Sequence, residues 1–203
     1  MIKRLFDLIV SSILLMIALP VLLCTTLAIR IESLGPIWYR SPRLGRGGKQ
    51  FGMFRFRTVD INRSDTLPMN ERLTVVGRFI RTYSIDDLPN LCNVLSGDLS
   101  IVGPRPMEPE QVDRSDPVWQ QILTIRPGLV SPAILQLGKT YNATPPARKA
   151  QLELEYVRRA SFGYDLQICW YGIQRFVETK GNFKRGVPHI DNANIDSTDE
   201  DDR

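Results

Sequence analysis

Residues Leu8 to Ile29 read LIVSSILLMIALPVLLCTTLAI, 22 positions without a charged side chain. As a straight helix this run extends roughly 33 Å, enough for a hydrocarbon core of about 30 Å. A soluble helix of that length would show a polar face, so the run predicts insertion into a membrane. A cleaved signal does not fit, since no A-x-A site follows and Leu23 is too large before Cys24 for a lipoprotein signal.

The flanks constrain how the run sits. Lys3 and Arg4 precede it; Arg30, Arg40, Arg43, Arg46, Lys49, Arg55 and Arg57 follow, opposed only by Glu32. Both flanks therefore favour the cytoplasmic side, which a straight span cannot satisfy. Pro20, near the middle, removes a backbone hydrogen bond and favours a kink. The expectation is a re-entrant helix whose two arms each reach about half the bilayer. A single straight span with a tolerated proline is the alternative.

The chain of 203 residues carries 26 Lys and Arg against 22 Asp and Glu. The charges are segregated: residues 191–203 sum to −5 and the remainder to +9. A basic body calls for an anionic partner, whether lipid, nucleic acid or phosphorylated substrate. Cys24, Cys92 and Cys169 are widely spaced and His189 is the single histidine. Disulfide frameworks, zinc sites and histidine-based triads are thereby excluded.

Three parts are expected: 1–34 as re-entrant membrane helix, 35–185 as a catalytic domain on the cytoplasmic face, and 186–203 as a disordered acidic tail. Residues 35–58 read as loop and hairpin, with Gly45, Gly47 and Gly48 as turn residues and alternation through Phe51–Arg57. Leu88, Leu91, Cys92 and Leu95 recur at helical spacing before a stop at Gly97. Met107–Ile125 is expected to be helical in part, 126–129 a turn, and 147–176 two helices, the second rich in aromatic residues that suit a membrane interface. The fold class is α+β, mostly helical, with a short β-hairpin and interfacial amphipathic helices.

Ser84-Ile85-Asp86-Asp87-Leu88-Pro89 is the sharpest local feature. It reads as a helix start, with Ser84 as N-cap and Asp87 at N3, or with Asp86 as N-cap and Pro89 at N3. Either places two carboxylates where the helix dipole favours ionisation. Arg78 and Arg81 lie just upstream, and Arg55, Arg57 and Arg105 lie in strand-end or turn contexts. Ionised carboxylates among arginines beside a membrane suit phosphoryl transfer. A carboxylate can attack phosphorus, while Arg and Mg²⁺ offset the diphosphate charge.

The order K-R-x₂-D, apolar helix with central Pro, F-R-F-R-T, S-I-D-D-L-P-N-L-x-N-V-L-x-G-D-L-S-I-V-G-P-R-P, R-P-G-L and Y-D-L-Q-I resembles the monotopic polyprenyl-phosphate phosphoglycosyl transferases, the PglC-like bacterial sugar transferases. The match runs from Lys3 to about Gly181. The resemblance implies transfer of a sugar 1-phosphate from a UDP-sugar to polyprenyl phosphate, with release of UMP and a need for Mg²⁺. It implies the first membrane step of bacterial glycan assembly, at the inner membrane, through a covalent aspartyl intermediate. Asp86 would be nucleophile and Mg²⁺ ligand, and Asp87 the second acid. Arg105 and Asp165 match family positions and would contact substrate, as Arg55, Arg57, Arg78 and Arg81 would from their grouping with the acid pair. Partners would be the UDP-sugar, polyprenyl phosphate and membrane lipid, without nucleic acid, and a homo-oligomer stays open.

Three positions and one five-residue stretch depart from the pattern. Asp87 stands for the usual Glu, Arg55 for a frequent Lys, and Leu19 for the Ser before the proline. Val130-Ser131-Pro132-Ala133-Ile134 replaces T-G-W-A-Q, so no contact is transferred there. A membrane-tethered adaptor without activity would also explain the basic body, but not the acid pair among arginines. Release of UMP separates the two.

Overall fold

In the computed structural model, which describes residues 2–64, 66–141 and 143–178, the first helix is inside out. Helix α1 (Ile2–Glu32) carries Pro20 within it and buries Asp7, Ser11, Thr25 and Ile29. Ile9, Ile13, Met16, Ile17, Leu19, Leu23 and Leu27 are exposed. A helix that buries polar residues and exposes apolar ones expects lipid outside. It is long and apolar enough to cross a membrane.

The buried polar groups fasten α1 to the rest of the chain. The Asp7 carboxylate accepts hydrogen bonds from Ser100 Oγ (2.9 Å) and Ile101 N (3.0 Å). Arg4 donates to the carbonyls of Val94 (2.6 Å) and Leu95 (2.8 Å), and Lys3 pairs with Asp165. At the other end, Glu32 accepts from Val75 N (2.6 Å) and Val76 N (3.1 Å). Arg57 donates to the carbonyls of Ser33 and Leu34 just beyond the helix, each at 2.9 Å. Both ends of α1 are thus bonded to one folded body.

That body opens with the expected hairpin, β1 (Trp38–Leu44) against β2 (Gln50–Phe56), antiparallel with Tyr39 opposite Arg55. The connection uses Gly47 (φ 69°) and Gly48 (φ 72°), left-handed conformations that glycine adopts without a steric penalty. After the short α2 (Met69–Arg72) comes α3 (Val75–Thr82), N-capped by Thr74, whose Oγ1 accepts from Gly77 N at 2.8 Å. A 3-10 segment, Ile85–Asn90, leads into α4 (Leu91–Ser96), which ends at Gly97 (φ 90°), as the sequence predicted.

The remaining elements are β3 (Ser100–Val102), α5 (Pro117–Ile122), β4 (Gly128–Val130), α6 (Pro132–Leu137), α7 (Pro146–Arg159) and α8 (Phe162–Glu178). β3 and β4 pair in parallel, Ser100 opposite Gly128 and Val102 opposite Val130. The main core gathers Leu91, Val94, Ile101, Val102, Leu135, Tyr156 and Ile168 from α4, β3, α6, α7 and α8, with Leu99 from the link before β3. Val75, Phe79 and Tyr83 around α3, and Leu166, Trp170, Ile173 and Val177 on α8, are exposed. The expected acidic tail lies outside the described residues.

One expectation is corrected. Neither capping arrangement forms at Ser84–Pro89: Ser84 is itself left-handed (φ 56°), and no side chain caps the 3-10 segment. Pro89, lacking an N–H, is buried inside that segment, so the helical spacing from Leu88 to Leu95 divides between a 3-10 turn and α4.

Candidate active site

The tight 3-10 turn presents Asp86 and Asp87 side by side between two cavities. Asp87 faces a cavity of about 470 Å³, which it lines with Arg43, Arg55 and Arg105. The rest of its lining is largely apolar: Leu14, Ile17, Ala18 and Val21 of α1, with Leu88, Leu91, Leu129 and Ile134. Asp86 faces a cavity of about 510 Å³, with Arg55, Arg57, Arg63, Arg72 and Arg81 and the aromatic rings of Trp38 and Tyr39. Arg55 borders both.

Local structure explains this placement. Asn93 on α4 clamps the edge of β2: its Oδ1 accepts from Phe54 N (3.0 Å) and its Nδ2 donates to the Gly52 carbonyl (2.9 Å). The clamp sets Arg55 against the acidic turn, where Arg55 Nε pairs with Asp87 Oδ1 at 2.9 Å. Asn90 Nδ2 also donates to Asp87 Oδ1, at 3.3 Å. Arg55 lies opposite Tyr39, so on a pleated hairpin it shares a face with Arg43, four residues along β1. Arg43 pairs with Glu108 at 2.8 Å. Burial lowers the pKa of Arg43, with Glu108 opposing and the neighbouring Arg55 and Arg105 adding to the effect.

The electrostatics reverse the helix-dipole expectation. Burial, and secondly the charge of Asp87, push Asp86 up to about 6, against the pull of Arg55 and Arg81. A carboxylate held at that level is ionised at neutral pH yet more basic than a free Asp, and therefore a better nucleophile.

The arginines expected from sequence do not all converge. Arg55, Arg81 and Arg105 reach the cavities. Arg57 borders one, but it is buried and committed to holding the exit from α1. Arg78 is exposed on α3 and lines neither cavity. Asp165 lines neither cavity: it is buried, pairing with Lys3 and accepting from Tyr156 Oη at 2.6 Å, so it ties α8 to α1 and α7. Sequence reasoning passed over Arg43, whose strand parity with Arg55 is the signal that finds it once the register is known. It also passed over Tyr141, whose ring lies 4.9 Å from the Arg105 guanidinium and 4.8 Å from Lys149 Nζ.

Among the described residues, no group of three or more His, Cys, Asp or Glu side chains is placed to hold a metal. Two adjacent carboxylates, one of them destabilised by its neighbour's charge, match a divalent cation bound by one or two acids and completed by substrate phosphates.

The family model for bacterial sugar transferases matches residues 1–179. The undecaprenyl-phosphate glucose phosphotransferase of Komagataeibacter xylinus is 33% identical over 195 residues, covering 89% of this chain and 37% of that protein. The uncharacterized sugar transferase EpsL of Bacillus subtilis is 35% identical over 182 residues, covering 88% of this chain and 89% of its own. The UDP-glucose:undecaprenyl-phosphate glucose-1-phosphate transferase of Escherichia coli is 32% identical over 180 residues, 84% of this chain and 39% of that protein. The chain thus spans less than half of the two relatives named for a reaction, and nearly all of EpsL. With this match over almost the whole described length, the chain belongs to the bacterial sugar transferase family.

Proposed function

We propose that this protein transfers a sugar 1-phosphate from a UDP-sugar to polyprenyl phosphate and releases UMP, in the first membrane step of bacterial glycan assembly. The observation that carries the reading is the acid pair between two arginine-lined cavities, one of which has an apolar wall supplied by α1. A lipid phosphate needs such a combination of cations and apolar surface, and a nucleotide diphosphate needs cations without it. The names of the relatives from K. xylinus and E. coli describe transfer to undecaprenyl phosphate.

The chemistry divides into two displacements. A carboxylate oxygen of Asp86 attacks the phosphorus that bears the sugar, and the bond to the bridging oxygen breaks, so UMP leaves with that electron pair. The phosphate oxygen of the lipid then attacks the same phosphorus, the aspartyl bond breaks, and Asp86 is returned with a lipid diphosphate sugar. Arg55 and Asp87 flank the reacting carboxylate, Arg55 for phosphate charge and Asp87 toward the incoming lipid phosphate. Asp86, with Asp87 beside it, would hold Mg²⁺, which neutralises diphosphate charge when bound.

The membrane arrangement belongs to the same proposal. α1 enters the cytoplasmic leaflet of the inner membrane and returns, which is supported by the bonding of both its ends to one body and by Pro20 between them. The exposed apolar faces of α3 and α8 then lie at the interface.

The test is UMP release by the full chain in detergent, with a panel of UDP-sugars, polyprenyl phosphate and Mg²⁺. Release that stops on chelation is expected; silence across the panel contradicts the reading. A pH profile adds a second check. Because the ionised form of Asp86 attacks, the rate of the first step at limiting Mg²⁺ should climb with pH up to about 6 and level off above it, bound Mg²⁺ moving the rise to lower pH. A rate that falls as pH rises from about 4.5 to about 7 would mean that another group does the work.

A further inference from the structure

Glu153 is a buried acid that the two displacements do not use. It sits on α7 and is 1% exposed. Its Oε1 accepts from the backbone N–H of Arg105 (3.1 Å) and from Ser131 Oγ (2.6 Å). Its Oε2 is buried without a hydrogen-bond partner among the described residues. A carboxyl group so placed is costly to bury, and one of its oxygens holds two separate chain segments.

The first segment is Gly103-Pro104-Arg105-Pro106, which leaves β3. Pro104 fixes its own φ, and Pro106 restricts Arg105 to extended conformations, so the Arg105 N–H points in a set direction. Pro104 and Pro106 are buried while Arg105 is partly exposed; it lines the Asp87 cavity and holds its guanidinium over Tyr141. The second segment is the start of α6, where Ser131 Oγ also accepts from Ile134 N at 3.3 Å.

We propose that Glu153 is a positioning residue for the anion site: by holding the Arg105 main chain and the start of α6 on one oxygen, it aims the Arg105 guanidinium at the phosphate beside Arg43 and Arg55. The hydrogen bonds need an acceptor oxygen rather than a charge. Burial pushes Glu153 up to about 7, with the bonds from Ser131 and Arg105 opposing, so the neutral form is readily reached. This inference rests on the reading of the cavity as a phosphate site.

The experiment is a double-mutant cycle on the full chain in detergent, titrated calorimetrically with inorganic pyrophosphate, which needs no turnover. Arg105→Ala and Glu153→Met are each expected to weaken binding about 10-fold, as loss of a charge-assisted contact does. The double variant should bind within about 2-fold of Arg105→Ala, since nothing remains to be aimed. Glu153→Gln keeps the acceptor oxygen and should stay within about 3-fold of the unsubstituted chain. A merely structural role would lower the melting temperature of Glu153→Met, and its loss would persist in the Arg105→Ala background. Such additive losses, unchanged binding by Glu153→Met, or no pyrophosphate binding by the unsubstituted chain would each overturn the proposal. If Glu153→Met does not fold, Glu153→Asp replaces it in the same cycle, because one methylene less withdraws the oxygen from Arg105 N. UMP release by the unsubstituted chain is scored separately, so failure of the transferase reading is distinguishable from failure of the positioning role.

Discussion

Asp86→Asn should abolish UMP release, by at least about 1,000-fold, while making the protein more stable. The two effects share one cause. The amide keeps the shape of the side chain but has no anionic oxygen to attack phosphorus. It also removes a partly buried carboxylate from beside Asp87. Because the folded pKa of Asp86 lies at about 6, above the ordinary aspartate value of 3.8, the native state keeps its proton where the unfolded chain has lost it. Stability from this group is complete below the unfolded pKa and is lost as pH rises through about 6. At pH 7 the ionised group therefore works against the fold, and its replacement should return about 1 kcal/mol after screening by solvent. Thermal melts at pH 4 and pH 7 check the sign: the gain should appear at pH 7 and shrink at pH 4. Residual turnover above a tenth of the original would remove Asp86 from the central role.

The second large effect is expected far from the acid pair. A Cβ on Gly128 would lie 2.0 Å from Gly103 N and 2.5 Å from the Val102 carbonyl carbon, both backbone atoms. Gly103 is also crowded, its Cβ position lying 2.6 Å from the Arg126 carbonyl oxygen. Strands β3 and β4 are therefore packed backbone to backbone, and Gly128 N donates to the Pro104 carbonyl at 2.9 Å. Gly128→Ala must part the strands and displace the turn that carries Arg105. We expect a loss of more than about 3 kcal/mol, read as a melting temperature lower by about 6 °C or more. An unchanged melt would show that the two strands yield at little cost.

Much of this was legible in the sequence where the determinant is local. The glycines of the hairpin, the stop at Gly97 and the apolar run each depend on a few adjacent residues, and each formed as expected. The β3–β4 pair was hidden because three-residue strands whose partners lie 28 positions apart carry no period, and the pairing depends on two glycines meeting in space. The acidic turn was misjudged for a different reason. Capping rules assume that the residue before a helix is extended, whereas Ser84 is left-handed and Pro89 tightens the turn into 3-10 geometry. The partner of Asp165 is equally hidden in the sequence, since Lys3 lies 162 positions away.

The central claim is that Asp86 forms a bond to phosphorus before the acceptor arrives. The most direct measurement is peptide mass mapping of the full chain after incubation with a UDP-sugar and Mg²⁺, no acceptor being present, followed by an acid quench. The account predicts a phospho-sugar on Asp86, matched by one UMP released per modified chain, and no adduct on Asp86→Asn. An adduct on a different side chain, or UMP release that begins only when polyprenyl phosphate is added, would contradict it.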